Sequence, residues 1–244
     1  MADPKDMKAA GSVRLSGGVY RDVNVSGSAN ISGDVDCQTF RVSGSARMDG
    51  SLKTGECHIS GSAGMAGSLT AASAQVSGSG RVDGDVTVAG ELRASGSLHV
   101  GGGIKAQSAQ TSGSLYVDQG IECEALNVSG AIEAGGLVNA NTVDISLGGR
   151  SRLTEVGGER VTVKRRMSFS LNLFGLSLSL GAQFGGLTAD TIEASTVELE
   201  CTRAQVVRGA DVTIGAGCEI DRVEYSNTLV VEDDAVVRER IKVG

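Results

Sequence analysis

The chain has 244 residues, of which 36 are glycine and one is proline. With 40% hydrophobic and 21% charged residues it is too apolar for a disordered polyelectrolyte, and it is too poor in glycine and proline for a collagen. Aromatics are only 3%, so a core must come from Val, Leu, Ile and Ala, and a net charge of −7 argues against a nucleic-acid scaffold.

The N-terminal stretch Met1–Lys8 lacks the apolar run of a secretory signal, and residues 1–11 read as a flexible tail. No apolar run reaches the ~18 residues of a membrane helix. The five cysteines show no C-x-x-C spacing, so the expectation is a reduced, cytoplasmic protein without metal or cofactor.

Residues 12–149 carry a repeat. Val25-Ser-Gly-Ser, Val42-Ser-Gly-Ser, Ile59-Ser-Gly-Ser and Val76-Ser-Gly-Ser follow one another at a fixed step, and Ala94, Thr111 and Val128 continue it with the same motif or Ser-Gly-Ala. The step is 17 residues, except for one of 18 between Val76 and Ala94. Within each repeat come three apolar pairs, such as Ala46/Met48, Leu52/Thr54 and Cys57/Ile59. Each pair has the period of a strand, and Gly, Ser, Asp or Asn separates one pair from the next. Three strands and three corners per repeat predict an all-β fold, a triangular parallel β-helix. Ala29, Ala46, Ala63, Gly80, Leu98, Leu115 and Ile132 should stack inside it, with Asn30, Arg47, Arg81, His99, Tyr116 and Glu133 outside.

The pattern breaks over 150–186, which reads as an insertion. Gly157-Gly158 between strand-like segments is a hairpin signal. The run Lys164–Leu180 places three cations beside an apolar amphipathic stretch, open between helix and strand. Lys164, Arg165, Arg166, Phe169, Leu171, Leu173, Phe174 and Leu176 are therefore candidate contacts with membrane lipid, a membrane protein or a second subunit. The repeat resumes over 187–244, for roughly eleven coils and a rod of about 50 Å in all.

Signals for catalysis are sparse. His58 and His99 fall on outward positions in different coils, which leaves few general bases. Cys37, Cys57, Cys123 and Cys218 fall on inward positions, as small hydrophobes would; Cys201 has no clear position. Gly101-Gly102-Gly103 lacks the Gly-Lys-Ser/Thr of a phosphate loop and reads as a corner.

The 17-residue coils with recurrent Val-Ser-Gly-Ser, together with the segment Val212–Tyr225, resemble the bactofilins, a family of bacterial polymer-forming cytoskeletal proteins. The resemblance covers nearly the whole chain outside 150–186. It implies a right-handed β-helix, filaments formed without nucleotide through the helix ends, no enzymatic activity, and frequent location at the inner face of the cytoplasmic membrane. The partner is then the chain itself, with no nucleic acid. Val13 and Leu15 at one end, and the last inward pair Ile241/Val243 at the other, are the expected polymerisation contacts, because open strands and an open apolar core invite stacking. The alternative is an acyltransferase of the hexapeptide-repeat kind, a left-handed β-helix. Its strict six-residue sides and catalytic histidine match less well the five-residue sides and isolated histidines here.

Overall fold

A computed structural model describes residues 5–165, 170–173, 176–179 and 185–244. Among the described residues every regular element is a β-strand. They wind into a parallel β-solenoid of about 13 turns at roughly 17 residues per coil.

One coil shows how the sequence does this. Ser45–Met48 and Leu52–Ile59 are its strands. Alternation buries Ala46, Met48, Leu52 and Thr54, then skips a beat before burying Cys57 and Ile59. Two buried residues three apart cannot share one face of a straight strand, so the longer strand bends there and serves two sides of the triangle. Each inward residue stacks on its counterpart in the neighbouring coils: Ala46 lies between Ala29 and Ala63, Leu52 between Val35 and Leu69, Cys57 between Phe40 and Ala74. The result is one continuous column of aliphatic side chains with Phe40, fully buried, seated between Val23 and Cys57. The longer coil absorbs its extra residue as an irregularity at Ala89-Gly90, between Val88 and Glu91 on the same strand.

The corners explain the recurring Ser-Gly-Ser. The Gly44 carbonyl accepts from the Ser62 N–H at 2.9 Å, as Gly27 does from Ser45. These carbonyls point along the rod axis into the space where the next coil's glycine would carry a Cβ. A Cβ at Gly44, Gly61, Gly78, Gly96, Gly113 or Gly130 would collide with the glycine carbonyl oxygen of the coil before it. The preceding serines add a hydroxyl ladder: Ser43 Oγ donates to Val25 O at 3.4 Å and Ser60 Oγ to Val42 O at 3.2 Å. A second corner is tied by side-chain acceptors. Asp34, Ser51, Ser68 and Asp85 each accept from a backbone N–H one coil further on, at Ser51, Ser68, Asp85 and Gly103.

Three features depart from the sequence reading. Residues 5–9 are not a tail: strand Lys5–Ala9 pairs in parallel with Tyr20–Val25, and Met7 and Ala9 are buried against Val23 and Val25. The solenoid also continues into the expected insertion. Ser151–Arg165 is a full coil, paired on one side with Ile121–Leu147 and on the other with Leu187–Leu199. Leu153, Val156, Val161 and Val163 are its buried residues. Gly157-Gly158 makes the mid-coil bend, where a Cβ on Gly158 would strike the Ala140 carbonyl, and not a hairpin. These additions bring the count from the expected eleven coils to about 13, for a rod of about 60 Å.

The third departure is in the last coil. Three residues separate Val237 from Ile241, where two separate Ile220 from Val223, so Ile241 lands one step late. It pairs with outward Glu224, while Arg240 lies over buried Val223 and Lys242 over Tyr225. Ile241 and Val243 are therefore not an inward pair.

Candidate functional site

Two places stand apart from the regular surface, the rod ends and the departure of the side excursion. At one end, Val13 and Leu15 form the outermost layer of their side, paired with Ala29 and Ile31, and are half-buried. At the other, Leu229, Val231, Ala235 and Val237 are half-buried against the core, with Val230 and Val236 exposed. Among the described residues nothing stacks on these outer layers.

The excursion leaves after Val163. Residues 164–186 stand where the next coil has only Glu200 and Cys201. The coils close beneath it: the Glu200 N–H donates to Val163 O at 2.8 Å, and Ser151 N–H to Gly186 O at 2.9 Å. Lys164 is paired with Glu198 at 3.2 Å. The Arg165 N–H donates to the Glu200 carboxylate at 2.8 Å, and its Nε to Cys201 Sγ at 3.3 Å. Two of the three cations named as candidate membrane or partner contacts are thus engaged with the rod. Arg166, Phe169 and Phe174 lie outside the described residues. Ser170–Leu173 and Leu176–Ser179 form an antiparallel hairpin with Leu171 opposite Leu178 and Leu173 opposite Leu176, which settles strand over helix for these residues. The hairpin is a sheet separate from the solenoid.

Both histidines face outward. His58 is 3.5 Å from Glu56 and His99 3.3 Å from Asp118. Cys37, Cys57 and Cys218 are buried, while Cys123 and Cys201 are half-buried. Burial pushes the Cys57 thiol up to about 12, and the Cys123 and Cys218 thiols up to about 11. Cys37 is raised too, by burial, against the opposing effect of its hydrogen bond with Thr54. Cys201 differs in holding a left-handed backbone (φ 48°) beside Arg165. Sequence reasoning left it without a position because the excursion hides which corner it occupies. Among the described residues no group of three or more His, Cys, Asp and Glu could hold a metal ion, and no helix is long and apolar enough to cross a membrane.

With this geometry in hand, comparison with known proteins gives two relatives. The chain is similar to the uncharacterized protein YhbF of Bacillus subtilis (strain 168), 37% identical over 108 residues, which is 44% of this chain and 42% of YhbF. It is also similar to the uncharacterized protein YhbE of the same organism, 36% identical over 110 residues, 44% of this chain and 43% of YhbE. The matched stretch spans less than half the length of either relative. No family model matches, and no solved structure matches.

Proposed function

We propose that the chain is a non-enzymatic structural subunit that stacks end to end into filaments without nucleotide, as its resemblance to the bactofilins implies. The observation that carries this reading is the phase of the two ends. The outermost strand at one end, Lys5–Ala9, lies on the side of Val23 and Val25. At the other end that same side is the one left outermost by Leu229 and Val231, after Val236–Lys242 has covered the other two. A second copy laid head to tail would continue the winding without a step. Met7 and Ala9 would meet Leu229 and Val231, and Val13 and Leu15 would meet Ala235 and Val237. On these two sides such a joint joins apolar layers and pairs strand edges at once, which is how solenoid repeats stabilise one another. On the third side Arg240 and Lys242 hold the outermost positions. Residues 164–186 would then supply an attachment to a membrane or a protein at the cytoplasmic face.

The test is electron microscopy and sedimentation of the full chain without nucleotide, with the double variant Val231→Glu/Val237→Lys beside it. Wild type should form filaments, and the variant should stay a monomeric rod with unchanged β circular dichroism. Wild type that remains monomeric across a wide range of concentration and salt overturns the reading.

A further inference from the structure

Along one side of the rod the outward ladder runs Glu133, Arg152, Thr188, Arg203, Glu219 on successive coils. A cleft of about 460 Å³ opens over it, beside the point where the excursion returns. That volume is within the range of small-ligand sites, ~300–1,000 Å³. The cleft exists because its corners lack side chains. Gly186 and Gly217 line it, and Gly185 is stacked on Gly149 so closely that a Cβ would lie 2.8 Å from Gly149 N. Arg150, in the corner after Gly149, lines the same cleft.

Three arginines, Arg150, Arg152 and Arg203, line this one cleft. The chain is acidic overall, at −7. Eight of its arginines pair with carboxylates, five of them across coils, as Arg203 does with Glu219 at 2.9 Å. Arg150 and Arg152 have no hydrogen-bond or ion-pair partner among the described residues, although Glu133 is the ladder neighbour of Arg152. The Thr188 hydroxyl, between Arg152 and Arg203 on the ladder, is likewise without a partner among them. Ladder rungs are ~4.8 Å apart, so the two arginines rise about 10 Å apart on either side of that hydroxyl. Guanidinium groups reaching in from both sides of a hydroxyl, with a third from the corner, match the donor needs of a phosphate or carboxylate group.

We propose that this cleft binds a compact oxyanion, a phosphate or carboxylate group carried on a small polar molecule. Arg150 and Arg152 supply the charge, Thr188 donates from the floor, and Arg203, held by Glu219, closes the far side. Glu133 and Glu219 bracket the cleft at its two ends, so the remainder of the ligand is neutral and rich in hydroxyl or amine donors. This site depends on the coils alone and is independent of filament formation.

Isothermal titration of the full chain with inorganic phosphate, and separately with glucuronate, tests it. The variants are Arg150→Gln/Arg152→Gln and, as control, Arg160→Gln, an exposed arginine outside the cleft. Protection of Cys201, which lines the cleft, from a neutral alkylating reagent gives a second readout. The expected result is saturable binding of at least one probe, weakened about tenfold or more in the double variant and unchanged in the control, with parallel loss of Cys201 protection. Tighter binding of phosphate assigns a phosphorylated ligand, and tighter binding of glucuronate an acidic sugar. Binding of neither probe, or equal weakening by Arg160→Gln, overturns the proposal.

Discussion

Replacing Gly61 by alanine should break the rod locally, while the same change three residues later should not. A Cβ at Gly61 would overlap the Gly44 carbonyl oxygen and stand 2.8 Å from Ser43 O and 2.9 Å from Gly44 C. These atoms are backbone and have no rotamer by which to move aside. Relief requires the two coils to part at this corner, which strains the bonds Ser60 N–H to Val42 O, Gly61 N–H to Val42 O and Ser62 N–H to Gly44 O. Net values of about 0.5–1.5 kcal/mol for each such bond, and about 1–3 kcal/mol for overpacking, place the cost at about 2–4 kcal/mol. Gly64 has nothing within 4 Å of an added Cβ. Alanine there only narrows the unfolded ensemble, for a gain of about 0.4–1 kcal/mol. Urea denaturation followed by circular dichroism would measure both, and hydrogen exchange at Ser60–Ser62 would locate the damage. If Gly61→Ala falls within about 0.5 kcal/mol of Gly64→Ala, the close-packed glycine corner is wrong as an explanation of the Ser-Gly-Ser repeat.

The buried thiols make stability fall in alkali: with folded values raised to about 12 for Cys57 and about 11 for Cys218, the neutral thiol is favoured by folding, its stabilisation is full below pH 9, and it is lost as pH rises from there through 11 to 12. Urea titrations between pH 7.5 and 10.5 should therefore show a slope that flattens in Cys57→Ala by up to about 1.4 kcal/mol per pH unit, and an unchanged slope would contradict the placement of that thiol. Deleting residues 164–184 would leave Gly185-Gly186 as the corner between Val163 and Leu187, the same length as Glu200-Cys201 in the next coil. That protein should keep the β circular dichroism and the melting temperature of the parent to within a few degrees, whereas a collapse of both would show that the excursion supports the coils.

The period and the inward columns were legible because every coil repeats one steric problem and solves it with the same residue types. Ala29 to Ile132 along one edge needed no structure to place. The coil Ser151–Arg165 was hidden by its exceptions. Its first inward position is Ser151, whose hydroxyl accepts from the Ile132 N–H at 3.2 Å instead of filling the column with carbon. Its bend is a glycine pair that mimics a hairpin turn. At Lys5–Ala9 one apolar pair, Met7 and Ala9, is too short a pattern to announce a strand and is fixed only by the coil it covers. The phase error at Ile241 arose because spacing alone cannot tell an added corner residue from a shifted side. The arginine cleft was invisible for a different reason: Arg150, Thr188 and Arg203 are far apart in sequence and meet only through the stacking of coils interrupted by residues 164–186.

The inter-coil hydrogen bonds run along the rod axis, and this sets how such a rod would respond to tension. A pull on the two ends loads the outermost coil first, since each coil is bonded only to its neighbours. Releasing one coil of roughly 17 residues frees about 58 Å of extended chain in exchange for about 4.8 Å of rod. Under load the molecule would lengthen some twelvefold per coil surrendered, in steps of nearly equal size, while the coils behind stay wound. A filament built from it would be stiff until that yield force and extensible beyond it, giving way by unreeling a strand at a time instead of by fracture.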